Sequence, residues 1–401
     1  MNIKTSNKKA LIALAIGGFG IGMTEFVIMG ILPDVATALN ITIPQAGHFI
    51  AAYALGVVVG APLFTSIGGK WPAHKVLLTL MLWFTVFNTL SAFSDSYAML
   101  LVSRFLSGLP HGAFFGIGAV VAGKLAKPGK AASAIATMFA GLTIANVIGV
   151  PIGTYFGHHF DWSVSFLLVG LVGIMAMLSV YFWMPPLSKS STRGFKKDVK
   201  VFKRTELWVL ILLTTIGTGG FFAWYSYIAP LITKVSGYPE SMVGYAMIIA
   251  GLGMVVGNFL GAKLTEKLAP MKAIIVSLSL MVTVLVVNTF VAQNPIAILV
   301  LTFFIGIIAF SVATPLQMAI IKASKGSEML GSSMNQSAFN MGNASGAYLA
   351  GLPIAMGYGF TSASYVGAAM AGTGIIIAGA IVWSKREQRI KEEKRKIAFN
   401  N

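Results

Sequence analysis

A chain of 401 residues with 56% hydrophobic and only 10% charged residues is not a soluble single-core domain, where about 25% charged residues is usual. The formal charge of +17 suggests a nucleic-acid partner until the basic residues are placed. The absence of cysteine excludes disulfides, thiolate metal sites and thiol nucleophiles.

Lys4, Lys8 and Lys9 precede a first apolar run at residues 10–32. That run exceeds a signal-peptide core and reads as a retained membrane helix. A bilayer crossing takes about 20 mainly apolar residues. Five further runs follow at 45–67, 76–93, 97–123, 131–156 and 164–183. After a polar, basic stretch come 206–232, 242–264, 273–291, 296–321, 331–355 and 362–383. None alternates in polarity as a barrel strand does. The expected fold is therefore an all-α integral membrane protein of twelve transmembrane helices. Its divisions are an N-terminal six-helix bundle (1–184), a cytoplasmic linker (185–205), a C-terminal bundle (206–384) and a basic cytoplasmic tail (385–401).

Charge supports this count. With twelve spans, 27 of the 29 Lys and Arg fall on the side that holds both termini. The opposite loops carry Lys234, and Arg104 lies inside a span. Positive loops stay cytoplasmic, so both termini are expected inside, with anionic lipid rather than nucleic acid as the partner.

The two bundles repeat each other. Leu55, Gly56 and Gly60 match Leu252, Gly253 and Gly257, and Lys70 and Lys75 match Lys267 and Lys272, all at an offset of 197. Asn146 and Gly149 match Asn343 and Gly346 at the same offset. A shared offset across distant helices implies two pseudo-symmetric halves related by an axis along the membrane normal, with a substrate site near the midplane between them.

Several stretches carry a family resemblance. They are Gly22, Met23, Thr24, Glu25 and Phe26 through Gly30; residues 48–62; residues 104–112 from Arg104 through Pro110 and His111 to Gly112; and Ala145 and Asn146 with residues 149–154. They resemble the major facilitator superfamily. Within it they are most similar to the twelve-helix drug:proton antiporter group, among bacterial arabinose-efflux-type, sugar-efflux and chloramphenicol-resistance-like exporters. Two departures stand out: Phe64 occupies the usual acidic position four residues after Gly60, and Val150 separates Gly149 from Pro151. The resemblance implies the major facilitator fold, export, proton coupling through the helix-four arginine, and a helix-five segment that restricts leakage.

Glu25 is the acidic residue well inside an apolar span. An ionisable group there costs several kcal/mol unless it meets a wet cavity or a partner, which makes it a proton-carrier candidate; a hydrogen-bonded structural acid is the competing reading. Arg104 and Glu25 each lie seven residues from the same end of their helices, about 10 Å deep at 1.5 Å per residue. A charge pair is geometrically open to them, whether for coupling or as a static bridge. His111, two turns deeper on roughly the same helix face, is a proton relay or a structural histidine. His48 and Asp34 are weaker candidates near the outer ends.

The substrate-cavity candidates are polar or aromatic side chains within spans. Gln336, Asn340 and Asn343 form one stripe on helix eleven, suited to hydroxyl-rich substrates or to interhelical bonding. Asn146, Asn258 and Gln317 are polar singles. Helix seven carries Phe221, Phe222, Trp224, Tyr225 and Tyr227, as pocket lining or interfacial anchors. Gly149, Pro151 and Gly153 interrupt helix five, which predicts a bend packed tightly against the other half and able to seal a gate.

The leading expectation is a proton-coupled transporter that exports a sugar or an amphipathic drug-like compound by alternating access. It is expected in the bacterial inner membrane, as a monomer, with small-molecule substrate, protons and the bilayer as partners. A sugar or metabolite uniporter or importer is the first alternative, and a non-transporting sensor or scaffold the second. No enzyme motif, metal site or cofactor site stands out.

Overall fold

The computed structural model describes residues 3–41, 43–68, 71–187, 199–239 and 241–400. The central linker's residues 188–198 and Lys70 lie outside the described residues. Twelve long helices are present among those described. In the first half they are α1 (Ile3–Gly30), α2 (Ile43–Gly68), α3 (Ala73–Ala92), α4 (Tyr97–Leu125), α5 (Ala131–His159) and α6 (Trp162–Trp183). In the second half they are α7 (Thr205–Tyr225), α8 (Met242–Leu268), α9 (Pro270–Val291), α10 (Pro295–Ala323), α11 (Glu328–Ala355) and α12 (Ser362–Asn400).

Eleven of the twelve are long and apolar enough to cross a bilayer. The exception is α11. It buries Ser332, Ser333, Asn335, Gln336, Ser337 and Asn340, which lowers its hydropathy. It tolerates them because it packs against α7 and α12 of its own half and against α2 and α4 of the other, where polar groups meet protein and not lipid. The lipid-facing helices show the opposite pattern. Leu55, Val59, Leu63 and Ile67 are exposed on α2, and Leu171, Met175, Leu178 and Phe182 on α6. These stripes recur about every fourth residue, one face of a helix.

Each half has its own apolar core. One gathers Leu14, Phe84, Phe114, Phe115 and Met138, the other Leu207, Trp224, Ile274, Leu285 and Ile305. The sequence repeat reappears as packing. A Cβ on Gly56 or Gly60 would strike the α4 backbone at Phe105 and Leu109, and a Cβ on Gly253 or Gly257 would strike the α10 backbone at Phe303 and Ile307. The glycines thus bring α2 onto α4 and α8 onto α10 at equivalent places.

Prolines set the two irregular helices. A proline ring crowds the carbonyl four residues before it and donates no N–H. In α5, Pro151 follows a π turn at Ala145–Gly149, whose wider loop relieves the crowding. In α10, Pro315 follows the break between Ser311 and Ala313.

Two seams join the halves. At the first, α5 meets α8. Asn258 Nδ2 donates to the Ala136 carbonyl at 2.6 Å. Glu266 accepts from Lys130 Nζ at 2.7 Å, Ser133 N at 3.2 Å and Ser133 Oγ at 2.6 Å. At the second, α11 meets α2 and α4. Thr65 Oγ1 and Ser333 Oγ share a hydrogen bond of 2.7 Å, and Ser337 Oγ donates to the Val58 carbonyl at 3.3 Å.

Candidate functional site

Between the halves lies a cavity of about 70 Å³. An ordered water needs about 10–15 Å³ of such space, so a few waters fit and a drug-sized molecule does not. Loading a larger ligand requires the halves to part. Glu25 of α1 and His111 of α4 stand on the wall of one half, and Gln336, Asn340 and Asn343 of α11 on the other. Phe26, Phe139, Phe221, Phe222, Phe310 and Phe339 supply aromatic surface.

Glu25 is only partly buried. Among the described residues its carboxyl has no hydrogen-bond partner and no ion pair within 4 Å. It therefore faces the cavity with both oxygens available to water, a proton or a ligand. The equal depth expected of Glu25 and Arg104 is reflected in the contacts, but the two do not pair directly. Arg104 is 0% exposed. Its Nη1 donates to Thr24 Oγ1 at 2.8 Å and its Nη2 to the Thr24 carbonyl at 3.0 Å. Its guanidinium lies 4.5 Å from the Tyr53 ring centre and 5.4 Å from that of Phe166. Arg104 thus grips α1 one residue before Glu25, and two aromatic faces share its charge.

The grip extends in both directions. Thr24 Oγ1 also hydrogen-bonds Asn88 Oδ1 of α3, and Asn88 Nδ2 donates to the Phe84 carbonyl at 2.8 Å. Tyr53 Oη lies 3.1 Å from His111 Nδ1. Buried contacts therefore run from α3 through Thr24 to Arg104 by hydrogen bonds, from Arg104 to Tyr53 by the ring face, and from Tyr53 to His111 on the cavity wall by a hydrogen bond. Sequence reasoning passed over Asn88 and gave no individual role to Thr24 or Tyr53, which lie within the stretches that carry the resemblance. The signal available for Asn88 and Thr24 was a polar side chain inside an apolar span.

In the second half, Asn340 Nδ2 donates to the Gln336 carbonyl at 3.1 Å. Gln317 stands behind the wall. Its Nε2 bonds Ser332 Oγ, and its Oε1 accepts from Asn335 Nδ2 at 2.6 Å and from Gln336 Nε2 at 3.5 Å. Thr214 of α7 donates to Asn335 Oδ1 at 2.9 Å, so this knot ties α7, α10 and α11 together. Trp224 and Tyr225 also stand behind the wall, 1% and 8% exposed. Tyr225 stacks on Phe221, which itself lines the cavity, with ring centres 5.0 Å apart.

Asn146 bonds the Leu142 carbonyl at 3.1 Å and lies against Gly251 of α8, at the seam instead of the cavity. The packing expected of Gly149, Pro151 and Gly153 needs correction. A Cβ on Gly149 would meet Phe19 at 2.8 Å, and one on Gly153 would meet Val27 at 2.6 Å and Met23 at 3.0 Å. All three belong to α1, so the segment seats α5 against its own half. The small residues face α1, and the contact across to Gly251 passes to Asn146 and Val147 in the π turn. Of the peripheral candidates, His48 Nδ1 lies 2.7 Å from Tyr97 Oη, and Asp34 Oδ2 lies 2.8 Å from His158 Nδ1.

Two six-helix halves around a cavity with polar groups on both walls follow the large-scale plan of the major facilitator architecture. The Major Facilitator Superfamily model matches residues 14–335 and 240–398, and the chain belongs to that family. It is 39% identical over 380 residues to the inner membrane transport protein YdhP of Escherichia coli (strain K12), covering 94% of this chain and 96% of that one. It is 26% identical over 344 residues to the chloramphenicol resistance protein of Streptomyces lividans, covering 85% of this chain and 88% of that one. The fold matches the crystal structure of the transporter FucP in the outward conformation, with a TM-score of 0.75 at 14% identity over 93% of this chain and 98% of that one. As a member of this family the protein is a transporter and not an enzyme.

Proposed function

We propose that the protein is a proton-coupled exporter of a small molecule, a sugar or an amphipathic drug-like compound, working as a monomer in a bacterial inner membrane with both termini in the cytoplasm. The observation that carries this reading is Glu25, an acidic side chain on the cavity wall with no hydrogen-bond or ion-pair partner among the described residues. A proton arriving from outside neutralises it, and substrate and proton then favour different states of the two halves. Each ligand shifts that equilibrium only by its differential affinity for the two states.

In this reading Arg104 positions α1 beside Glu25, and His111, on the same cavity wall, relays protons within the cavity. The amides of α11 and the phenylalanine rings supply the mixed surface that an amphipathic substrate requires. Export rests on the motif resemblance to efflux permeases and on the relatedness to a chloramphenicol resistance protein. The cytoplasmic placement of the termini rests on the 27 basic residues gathered on their side.

The test is reconstitution in vesicles that carry an internal pH dye. A pH gradient is imposed, and sugars and hydrophobic cations are added singly. Proton movement on adding a substrate, lost in Glu25→Gln, is the expected result. Substrate flux with no proton movement would make the protein a uniporter and Glu25 a structural residue.

A further inference from the structure

We propose that the cleft between the start of α1, the end of α4 and the start of α5 binds an anionic phospholipid. The cleft measures about 420 Å³, against about 70 Å³ for the central cavity. Lys8, Lys127 and Lys130 line it, and no acidic side chain among the described residues does. Lys8 and Lys127 are exposed, and neither forms an ion pair with a described residue. Among the described residues, Lys130 is the one of the three with a carboxylate partner, Glu266 of α8 at 2.7 Å.

Lysines crowd this side of the molecule generally, so charge by itself does not make a site. The shape beneath the charge does. Leu11, Leu125 and Ala134 wall the cleft with hydrocarbon. Asn7 Nδ2 donates to the Leu125 carbonyl at 3.1 Å, which ties α1 to the end of α4 and holds the cleft's walls together. A phosphate among the three ammonium groups, with carbon chain against the leucines, satisfies both parts. A free phosphate would leave the apolar wall unused. The cleft also sits at the level where α1 begins and α4 ends, the headgroup layer of a bilayer spanned by these helices. Basic pockets between membrane helices on the positive side are known to suit acidic headgroups. A headgroup bound here shares Lys130 with Glu266, and so acts directly on the α5–α8 seam.

The experiment is native mass spectrometry of the purified full-length protein with phosphatidylglycerol and phosphatidylcholine at equal concentration. The wild type is expected to retain phosphatidylglycerol preferentially. The double variant Lys8→Ala, Lys127→Ala leaves the Lys130–Glu266 pair intact. It is expected to bind phosphatidylglycerol about 25-fold more weakly, from roughly fivefold per lysine near an anionic surface. A control, Lys272→Ala with Lys322→Ala, removes two exposed lysines elsewhere and is expected to leave retention unchanged. Thermal unfolding establishes that all three proteins are folded. Equal retention of the two lipids by the wild type overturns the proposal, and so does undiminished binding in the cleft variant. An equal loss in the control reduces the effect to general surface charge and also overturns it. Displacement of the lipid by glycerol phosphate at matching concentration would assign the cleft to soluble phosphate esters. No arm depends on transport, so failure here leaves the exporter reading standing.

Discussion

The two halves share a packing frame and differ in what they bury within it. Gly108 of α4 approaches the Tyr53 carbonyl, and Gly306 of α10 approaches the Ala250 carbonyl in the same way. These glycines stand 198 residues apart. At that offset Arg104 corresponds to Thr302 and His111 to Ala309. Thr302 merely bonds its own helix, donating to the Ile298 carbonyl at 2.8 Å. Across the cavity from Glu25 the second half presents Phe221 and Phe222. Duplicated backbone contacts persist because glycine there is a steric requirement on each helix pair. Side chains facing the cavity carry no such requirement, and the halves have diverged: titratable groups with two phenylalanines in one, amides with four phenylalanines in the other. In the proposed mechanism the first half reads the proton and the second holds the substrate.

The sharpest way to break this division is Glu25→Gln. Proton-coupled flux is expected to fall to background in reconstituted vesicles, while insertion and folding persist, because the neutral amide keeps shape and size. Full coupled transport by a well-inserted variant would place proton handling elsewhere.

The next test probes what the halves share. Gly60→Val and Gly257→Val each push carbon into a facing backbone carbonyl, Leu109 or Ile307. Overpacking of this kind costs about 1–3 kcal/mol, and the two losses are expected to match within error in thermal unfolding. If one half tolerates the change and the other does not, the shared frame is looser than the contacts imply.

How much of this was legible in the sequence depends on the kind of signal. Twelve spans and two halves followed from apolar length, charge segregation and the offset of 197, because lipid imposes those patterns over whole helices. Glu25, His111, Gln336, Asn340 and Asn343 stood out for the same reason, as polar groups set in apolar runs, and the structure places all five on one cavity. Depth was legible too, since helical rise alone set Arg104 level with α1 near Glu25. Direction around each helix was not. Sequence could not show that Arg104 turns to Thr24 and Tyr53, that Trp224 and Tyr225 turn into the core, or that Gly149 and Gly153 face α1. Helical spacing gives relative angles along one helix, and the neighbour at each angle depends on how six helices pack.

A smaller effect sharpens the substrate side. Asn340 lines the cavity with its amide N–H₂ bonded to the Gln336 carbonyl, which leaves its carbonyl oxygen to accept from a ligand. Asn340→Leu removes that acceptor. A hydrogen bond is worth about 0.5–1.5 kcal/mol net, so substrate affinity is expected to fall roughly two- to tenfold. The proton-to-substrate ratio should stay as it was. A changed ratio would show that the second half also takes part in coupling.

The smallest effect concerns the seams. One closes on charge, Lys130 with Glu266, and the other on a hydroxyl pair, Thr65 with Ser333. The Lys130 side chain is 62% exposed and Glu266 12%. Exposed ion pairs contribute about 0–1 kcal/mol, and Glu266 keeps two bonds to Ser133 without Lys130. Lys130→Met is therefore expected to shift the balance between open and closed seams by at most about fivefold. Distances between spin labels at the facing ends of α5 and α8 read this shift directly. Glu266→Gln, which removes the charge from all three bonds, is expected to open the seam further than Lys130→Met does. If Thr65→Val matches that larger shift, the two seams are equivalent latches and the charge confers no advantage. If it shifts nothing, the α5–α8 seam governs closure at the end of the molecule that bears both termini.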